Sequence, residues 1–225
     1  MTNQAKPKLW HCYNARSLRP LWTLEEMGVD YDLEVMLFPP RFRHDGFKDL
    51  NNLGTVPYFV DGADADQVTM TESSGICLYL VERYQQHQLG LKPDHPEYGD
   101  YLNWLFQSDA TLTFPQTIFL RYTYLEKPDN RLPQVASDYA KWFISRLSRL
   151  DNHIKDRQFL CDNRMTIADI TVGYALLLGE LLGLSDRYSP QVQAYLARLK
   201  ARPALIRAQA IAPETDVFKE LSAAN

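Results

Sequence analysis

The chain has 225 residues, 45% hydrophobic and 23% charged, proportions that suit a soluble globular protein with one large core or two small ones. Its net charge of −4, with both signs interspersed, argues against nucleic-acid binding or attraction to an anionic membrane. The N-terminal residues carry no apolar leader, no run approaches the roughly 20 apolar residues of a membrane helix, and the three cysteines are widely spaced. We therefore expect a cytoplasmic protein without a metal site.

The first third of the chain alternates between short apolar runs and helix-like stretches. Strands are predicted at 8–13, 31–36, 57–60 and 67–70. Helices are predicted at 17–27, 43–50 and 72–86. The first helix is stopped by Gly28 and lies between two strands, so a parallel βαβ unit is expected. The order βαβαββα predicts a mixed four-stranded sheet.

The polar stretch 87–96 contains Gly and Pro and is interpreted as a linker. Beyond it the sequence has helical periodicity and no strand alternation. Helices are predicted at 97–126, 133–155, 166–183 and 190–201, followed by a shorter tail. The chain is therefore expected to form an α/β domain over 1–86 and an all-α domain over 97–225.

The sharpest local pattern in the second half is Thr166-Ile167-Ala168-Asp169. Thr166 can cap a helix, Asp169 can reach back to the N–H of the cap, and Met165 with Ile170 can form a hydrophobic staple. This box predicts where a helix begins and indicates no chemistry.

Two short motifs predict a site for a small zwitterionic peptide. Pro57 begins a strand-like run, and a cis bond at Val56-Pro57 would turn backbone groups outward for an extended peptide. Glu72-Ser73 stands at a predicted helix start, where free N–H groups and the helix dipole favour a carboxylate. Glu72 can face an ammonium group.

Four elements in order carry a resemblance to the cytosolic glutathione transferase superfamily over nearly the whole chain. They are the segments 17–26 and 51–57, Thr71-Glu72-Ser73-Ser74, and the box 165–169. The resemblance implies a thioredoxin-like N-terminal domain with a cis-proline, a helical C-terminal domain, bound glutathione and a homodimer. It also implies that Val56 pairs with the cysteinyl backbone, Pro57 is cis, and Glu72 with Ser73 holds the γ-glutamyl end.

Three further residues are candidates for glutathione binding. By the same resemblance, Arg41 and His44 occupy the region where cations hold the glycine carboxylate, although a solvated loop explains them equally well. Thr55 either donates to the peptide backbone or simply begins the strand.

The residue that activates the thiol has three candidates. A helix N-terminus and one donor lower a thiol pKa, and Ser17 opens the first helix, although it can also be a plain N-cap. Asn14 can donate an amide N–H, and Tyr13 can donate its phenol or line the substrate pocket. The segment around Ser17 resembles bacterial glutathione-dependent β-etherases. Arg16 stands where the beta class has cysteine, so a cysteine mechanism at that position is excluded.

The hydrophobic co-substrate is expected against the first helix of the second half, which is rich in aromatic residues. Phe114, Tyr122 and Tyr124, together with Tyr13, are its candidate contacts, although aromatics at helical spacing are usually core. Pro115 interrupts this helix, and such kinks can open a cleft. Cys12 is expected to be a small buried hydrophobe rather than a nucleophile.

The predicted function is a transferase that attacks a hydrophobic electrophile with the glutathione thiolate, by conjugation or by ether or halide displacement. One alternative is double-bond isomerisation of a bulky apolar ketone, which needs the same thiolate. Another alternative, of a different class, is a non-catalytic protein that binds glutathione or a hydrophobic ligand.

Overall fold

The fold is described from a computed structural model for residues 6–211. These residues form two compact units, one of residues 6–86 with 203–211 and one of residues 87–202. No helix in this described part of the chain has both the length and the apolar character needed to span a membrane.

The first unit is built on a four-stranded sheet. Its strands are β1 (Lys8–Cys12), β2 (Asp32–Met36), β3 (Tyr58–Asp61) and β4 (Val68–Met70). They lie in the order β2-β1-β3-β4, with β1 parallel to β2 and antiparallel to β3, and β3 antiparallel to β4. The mixed sheet and the parallel βαβ unit are thus confirmed.

Four helices accompany the sheet in this stretch of the chain: α1 (Leu18–Met27), α2 (Pro40–Arg43), α3 (Phe47–Leu50) and α4 (Ser73–Arg83). The single helix expected at 43–50 is wrong, because Gly46 adopts a left-handed φ of 77° and separates two one-turn helices. Helices α1 and α4 pack against each other, and the buried Thr23 hydroxyl donates to Cys77 Sγ at 3.2 Å.

The second unit is helical throughout its regular structure. Its helices are α5 (Tyr98–Gln107), α6 (Phe114–Leu120), α7 (Pro133–His153), α8 (Ile167–Leu181) and α9 (Pro190–Lys200). Two π-helical segments, Ser108–Thr113 and Arg121–Leu125, join and extend α5 and α6, so helical structure runs from 98 to 125 as expected. The first π segment ends directly before α6, whose second residue, Pro115, lacks a backbone donor.

The capping box at the start of α8 is confirmed. Asp169 is fully buried, and its Oδ2 accepts from the Thr166 N–H at 2.9 Å and from the Thr166 hydroxyl at 3.0 Å. Its Oδ1 accepts from the Leu160 N–H at 2.9 Å and from the Tyr195 hydroxyl at 2.8 Å. One carboxylate therefore ties the preceding loop and α9 to the start of α8.

The last described helix, α10 (Pro203–Ala210), belongs to the first unit and packs on α1. Leu205 and Ala208 are completely buried, and Arg207 Nε lies 2.6 Å from Glu25 Oε2. The chain thus returns from the helical unit to complete the N-terminal one, so α10 is separate from the all-α domain expected over 97–225. The rest of the predicted tail, 212–225, lies outside the described residues.

Candidate functional site

A small buried cluster brings two of the predicted site segments together. Cys12, Met36 and Phe47 form its centre, and Ala15 and Val56 both pack against it. The loop between β1 and α1 is therefore a neighbour of the loop that precedes β3.

The loop before β3 carries the predicted peptide-binding motif. Val56-Pro57 is a cis peptide bond, as expected, and Phe38-Pro39 is a second one that the sequence did not suggest. Pairing between β1 and β3 begins at Tyr58, so Val56 lies beyond the ladder. Its position leaves it at the sheet's end, where a further extended chain can approach.

Asn51 holds this loop from within. Its side-chain amide donates to the Thr55 carbonyl at 2.8 Å, and its Oδ1 accepts from the Leu53 N–H at 3.2 Å. Asn51 is buried, whereas the Thr55 side chain is exposed. Gly54 has a φ of 60°, and a Cβ there would lie 2.7 Å from Cβ of Arg41, so only glycine fits without a shift.

The second motif stands at the start of α4. Glu72 is the N-cap residue and is exposed, with no capping hydrogen bond from its side chain. Ser73 is the first helical residue and is buried, and its hydroxyl oxygen accepts from Nη1 of Arg19 at 2.9 Å. The start of α4 is thereby joined to the first turn of α1. The β1–α1 loop, the loop before β3 and the start of α4 therefore converge.

The loop between β1 and α1 is a compact turn. The Ala15 N–H donates to the Cys12 carbonyl at 3.1 Å, and Asn14 has a left-handed φ of 60°. Tyr13 and Asn14 are both half-buried. The N–H of Leu18, at the start of α1, already donates to the Ala15 carbonyl at 2.9 Å. The Leu18 N–H is therefore satisfied within the turn.

Ser17 lies beneath this loop. It is completely buried, and its hydroxyl oxygen is 2.9 Å from Nδ1 of His11 and accepts from the Cys12 N–H at 3.2 Å. The Cys12 carbonyl lies 3.3 Å from the same hydroxyl. Ser17 occupies the N-cap position of α1, as the alternative interpretation expected, but its side chain makes no capping hydrogen bond.

His11 is a buried, uncharged partner of Ser17. It is 1% exposed, and burial lowers its pKa to about 4. Its Nε2 has no hydrogen-bond partner within the described residues. Sequence reasoning missed this residue, since a histidine within a strand carries no distinctive signal.

The cysteines are poorly suited to act as nucleophiles. Cys12, Cys77 and Cys161 are buried and form no disulfide bond, and desolvation raises the pKa of both Cys12 and Cys161 to about 12. Cys12 and Cys161 are therefore protonated near neutral pH. Since the thiolate is the reactive form, these two thiols are unreactive there. The interpretation of Cys12 as a buried hydrophobe is confirmed. No group of His, Cys, Asp and Glu within residues 6–211 is arranged to hold a metal ion.

The two expected cations differ in their surroundings. Nε2 of His44 accepts from the Leu37 N–H at 2.7 Å, so this nitrogen is occupied by the backbone. Arg41 is exposed, with its guanidinium 4.7 Å from the ring centre of Phe42. Both residues therefore remain candidates for binding a carboxylate, Arg41 through its guanidinium and His44 through Nδ1.

The aromatic candidates of the helical unit fall into separate pairs. Phe114 is 46% exposed and meets Tyr139 of α7 edge-on at 6.2 Å between ring centres. Tyr124 meets Phe119 in a similar way at 6.4 Å. Tyr122 is half-buried, with the Arg121 guanidinium 5.6 Å from its ring centre. Tyr13 belongs to the other unit.

Arg19 and Asn51 are the other site residues that sequence reasoning missed. A signal existed for each. Arg19 lies within the apolar stretch that forms the buried part of α1, where an unpaired charge would be costly. Asn51 precedes a loop with Gly54, and asparagine often bonds to nearby backbone groups in such turns.

Two family models match the chain and together cover more than half of it. The model for the glutathione S-transferase N-terminal domain matches residues 15–83. The model for the glutathione S-transferase C-terminal domain matches residues 144–203.

Individual relatives agree with these models. Glutathione S-transferase 3 of Schizosaccharomyces pombe is 26% identical over 210 residues, covering 87% of this chain and 84% of the relative. Protein LigF of Sphingobium sp. is 24% identical over 231 residues, covering 85% and 88%. The solved glutathione transferase URE2P8 of Phanerochaete chrysosporium, with oxidised glutathione, is 16% identical, with a TM-score of 0.78 and 99% of each chain covered. The thioredoxin-like unit and the helical unit are the fold that these proteins share. The chain belongs to the glutathione S-transferase family of enzymes.

Proposed function

We propose that the protein activates glutathione as a thiolate and uses it to attack a hydrophobic electrophile. The convergence of the β1–α1 loop, the cis-proline loop and the start of α4 carries this proposal. It supports the proposal because the turn that we assign to thiol activation lies beside one segment suited to an extended peptide and another suited to an amino-acid end.

Glutathione is placed by its three chemically distinct parts. The backbone of Val56 pairs with the cysteinyl residue, since it lies beyond the β1–β3 ladder. The start of α4, at Ser73, takes the γ-glutamyl carboxylate, and the exposed Glu72 faces the ammonium group. Arg41 takes the glycine carboxylate, and Thr55 borders the peptide.

Thiol activation is assigned to the loop between β1 and α1. Asn14 donates its amide to the sulfur, and Tyr13 contributes its phenol or lines the pocket beside it. Ser17 supports the loop from below, because its hydroxyl is buried against His11 and Cys12. A hydrogen-bond donor stabilises the thiolate and lowers the thiol pKa, so a larger fraction is reactive near neutral pH.

The electrophile is bound with help from Phe114, Tyr122 and Tyr124 of the helical unit. In the displacement reaction the thiol loses its proton to solvent, a sulfur–carbon bond forms, and the bond to the halide or aryl ether oxygen breaks. The leaving group departs with the bonding electron pair. The exposed aromatic surface of Phe114 supports an apolar or aromatic substrate.

The thiol pKa of bound glutathione tests this function. Thiolate absorbs in the ultraviolet and thiol does not, so a titration of the complex gives that pKa. A value well below that of free glutathione supports the enzyme, and a value equal to it favours a non-catalytic binding protein. A screen of aryl halides, β-aryl ethers and unsaturated ketones then distinguishes displacement from isomerisation.

We further propose that the protein is a cytoplasmic homodimer. The three buried cysteines form no disulfide bond, which suits a reducing compartment. A groove of about 590 Å³ on the helical unit is bordered by Phe106, 53% exposed, and Trp142, 41% exposed. Arg146 and Arg149 line the same groove, so the surface that we assign to the subunit contact is both aromatic and cationic. Light scattering of the full chain, with Trp142→Glu as the disrupting variant, measures the oligomeric state.

A further inference from the structure

A fully buried arginine lies directly behind the start of α4. Arg19 has 0% exposure, and its Nη1 donates to the Ser73 hydroxyl oxygen at 2.9 Å. Charged side chains are almost never buried this completely unless they are paired. One of its contacts is with the residue that heads α4, so Arg19 is positioned to influence what binds there.

We propose that Arg19 is a positioning residue for the γ-glutamyl α-carboxylate of glutathione. This inference rests on the proposed function, which places that carboxylate at the start of α4. Arg19 acts through Ser73 and through its charge.

The hydrogen bond fixes what the Ser73 hydroxyl can do. Arginine has only donors, so Ser73 Oγ is the acceptor in this contact. The hydroxyl proton must then point away from the guanidinium, where it can be donated to a ligand oxygen. A hydroxyl polarised by a cation is also a stronger donor than an isolated one.

The charge acts in the same direction. The N-terminus of an 11-residue helix such as α4 carries a partial positive charge. The Arg19 guanidinium, held behind that end by its hydrogen bond to Ser73, contributes positive charge on the same side. A carboxylate at Ser73 is therefore favoured, and a neutral group there is not.

The test compares two ligands in the same protein, so that a general loss of stability cancels. One is glutathione, and the other is 4-aminobutyryl-cysteinyl-glycine, which lacks only the γ-glutamyl α-carboxylate. The measured quantity is the dissociation constant of 4-aminobutyryl-cysteinyl-glycine divided by that of glutathione. It is determined by calorimetry for wild type, Arg19→Gln, Arg19→Met and Arg19→Lys. Arg19→Met fills the volume of the aliphatic stem, so the loss of charge is tested in two different side chains.

We expect Arg19→Gln and Arg19→Met to reduce this ratio by about tenfold, because each removes the charge that favours the carboxylate. Arg19→Lys should retain most of it. Thr23→Val is the matched control, since it disturbs the same α1–α4 contact without changing charge, and it should leave the ratio unchanged. γ-Glutamylcysteine keeps the α-carboxylate and lacks glycine. In Arg19→Gln and Arg19→Met its affinity should fall by the same factor as that of glutathione.

Two results would overturn the proposal. In one, the ratio stays at its wild-type value in every Arg19 variant while both affinities fall together, which identifies a purely structural arginine. In the other, Arg19→Lys loses the ratio as fully as Arg19→Met, which shows that charge is not the cause. Failure of the proposed function is a separate outcome, in which the wild-type protein binds neither ligand.

Discussion

Nδ1 of His11 lies 2.9 Å from the hydroxyl oxygen of Ser17, so β1 and the start of α1 are tied together beneath the loop that holds Tyr13 and Asn14. Both partners are buried. The contact supports the loop to which we assign thiol activation, and it gives Ser17 a structural role that differs from the donor role proposed for Asn14.

Ser17→Ala is expected to reduce stability more than thiol activation. The change leaves the buried Cys12 N–H without its hydroxyl acceptor, and such a loss costs about 1–3 kcal/mol. Urea unfolding measures this cost, and ultraviolet titration measures the thiol pKa of bound glutathione. A thiol pKa that returns to the free value in folded Ser17→Ala would show that Ser17 itself is the thiolate donor.

The buried His11 makes stability depend on pH. Its pKa is about 4 in the folded protein, against 6.5 for a histidine exposed to water, so between these values the unfolded chain binds a proton that the folded chain does not. Stability is therefore full above about pH 6.5 and falls as pH decreases toward 4, by about 3 kcal/mol at most. His11→Asn retains a group near the Ser17 hydroxyl and does not titrate.

We expect His11→Asn to lose less stability than wild type between neutral pH and about pH 5, measured by urea unfolding at both. Equal slopes for wild type and His11→Asn would mean that other groups account for the acid sensitivity.

Features encoded by local chemistry were predictable from the sequence. The box at Thr166 and Asp169 requires only residues three positions apart, and Val56-Pro57 restricts its own backbone. The order of strands and helices follows from periodicity, which sets the βαβ unit and the helical half. Each of these depends on neighbours in the chain.

Features that depend on distant contacts were not predictable. Ser17 at a helix start suggests an accessible hydroxyl, and only packing against His11 buries it. Arg19 contacts Ser73 across 54 positions of sequence. The division at Gly46 is local, but the helix expected at 43–50 coincides with α3 and with only the last residue of α2. Amphipathic α10 gives no indication of which unit covers its apolar face.

Asn51→Ala is expected to weaken glutathione binding through the backbone. It removes the hydrogen bonds to the Thr55 carbonyl and the Leu53 N–H, so the loop that presents Val56 loses its internal support. The dissociation constant for glutathione should rise about fivefold and stability should fall by about 1–2 kcal/mol. Calorimetry and urea unfolding measure the two effects.

The neighbouring Asn52→Ala is the matched control. Asn52 is exposed, so its removal should change neither quantity beyond about 0.5 kcal/mol. If both alanine variants bound glutathione like wild type, the 51–57 loop would not depend on Asn51 for its bound conformation.

Asp169→Asn is expected to destabilise the protein. The two hydrogen bonds to Oδ2 both come from Thr166 donors, and an amide can offer its single oxygen to only one pair of the four donors around this side chain. The remaining donors face an NH2 group, and the cost should be about 2–4 kcal/mol. Urea unfolding measures it, and Asp186→Asn, at an exposed position with the same charge change, should have little effect. A stability loss no larger than that of Asp186→Asn would contradict the network's importance.

Asn14→Gly tests the donor assigned to the sulfur. Glycine adopts the φ of 60° found at this position without strain, so the variant removes the amide and keeps the turn. The thiol pKa of bound glutathione should rise by about one unit, and kcat/KM should fall about tenfold. Tyr13→Phe should have a smaller effect if its phenol only lines the pocket. S-methylglutathione has no ionisable thiol, so both variants should bind it like wild type. If Tyr13→Phe raises the thiol pKa and Asn14→Gly does not, the phenol is the donor and the assignment of Asn14 is wrong.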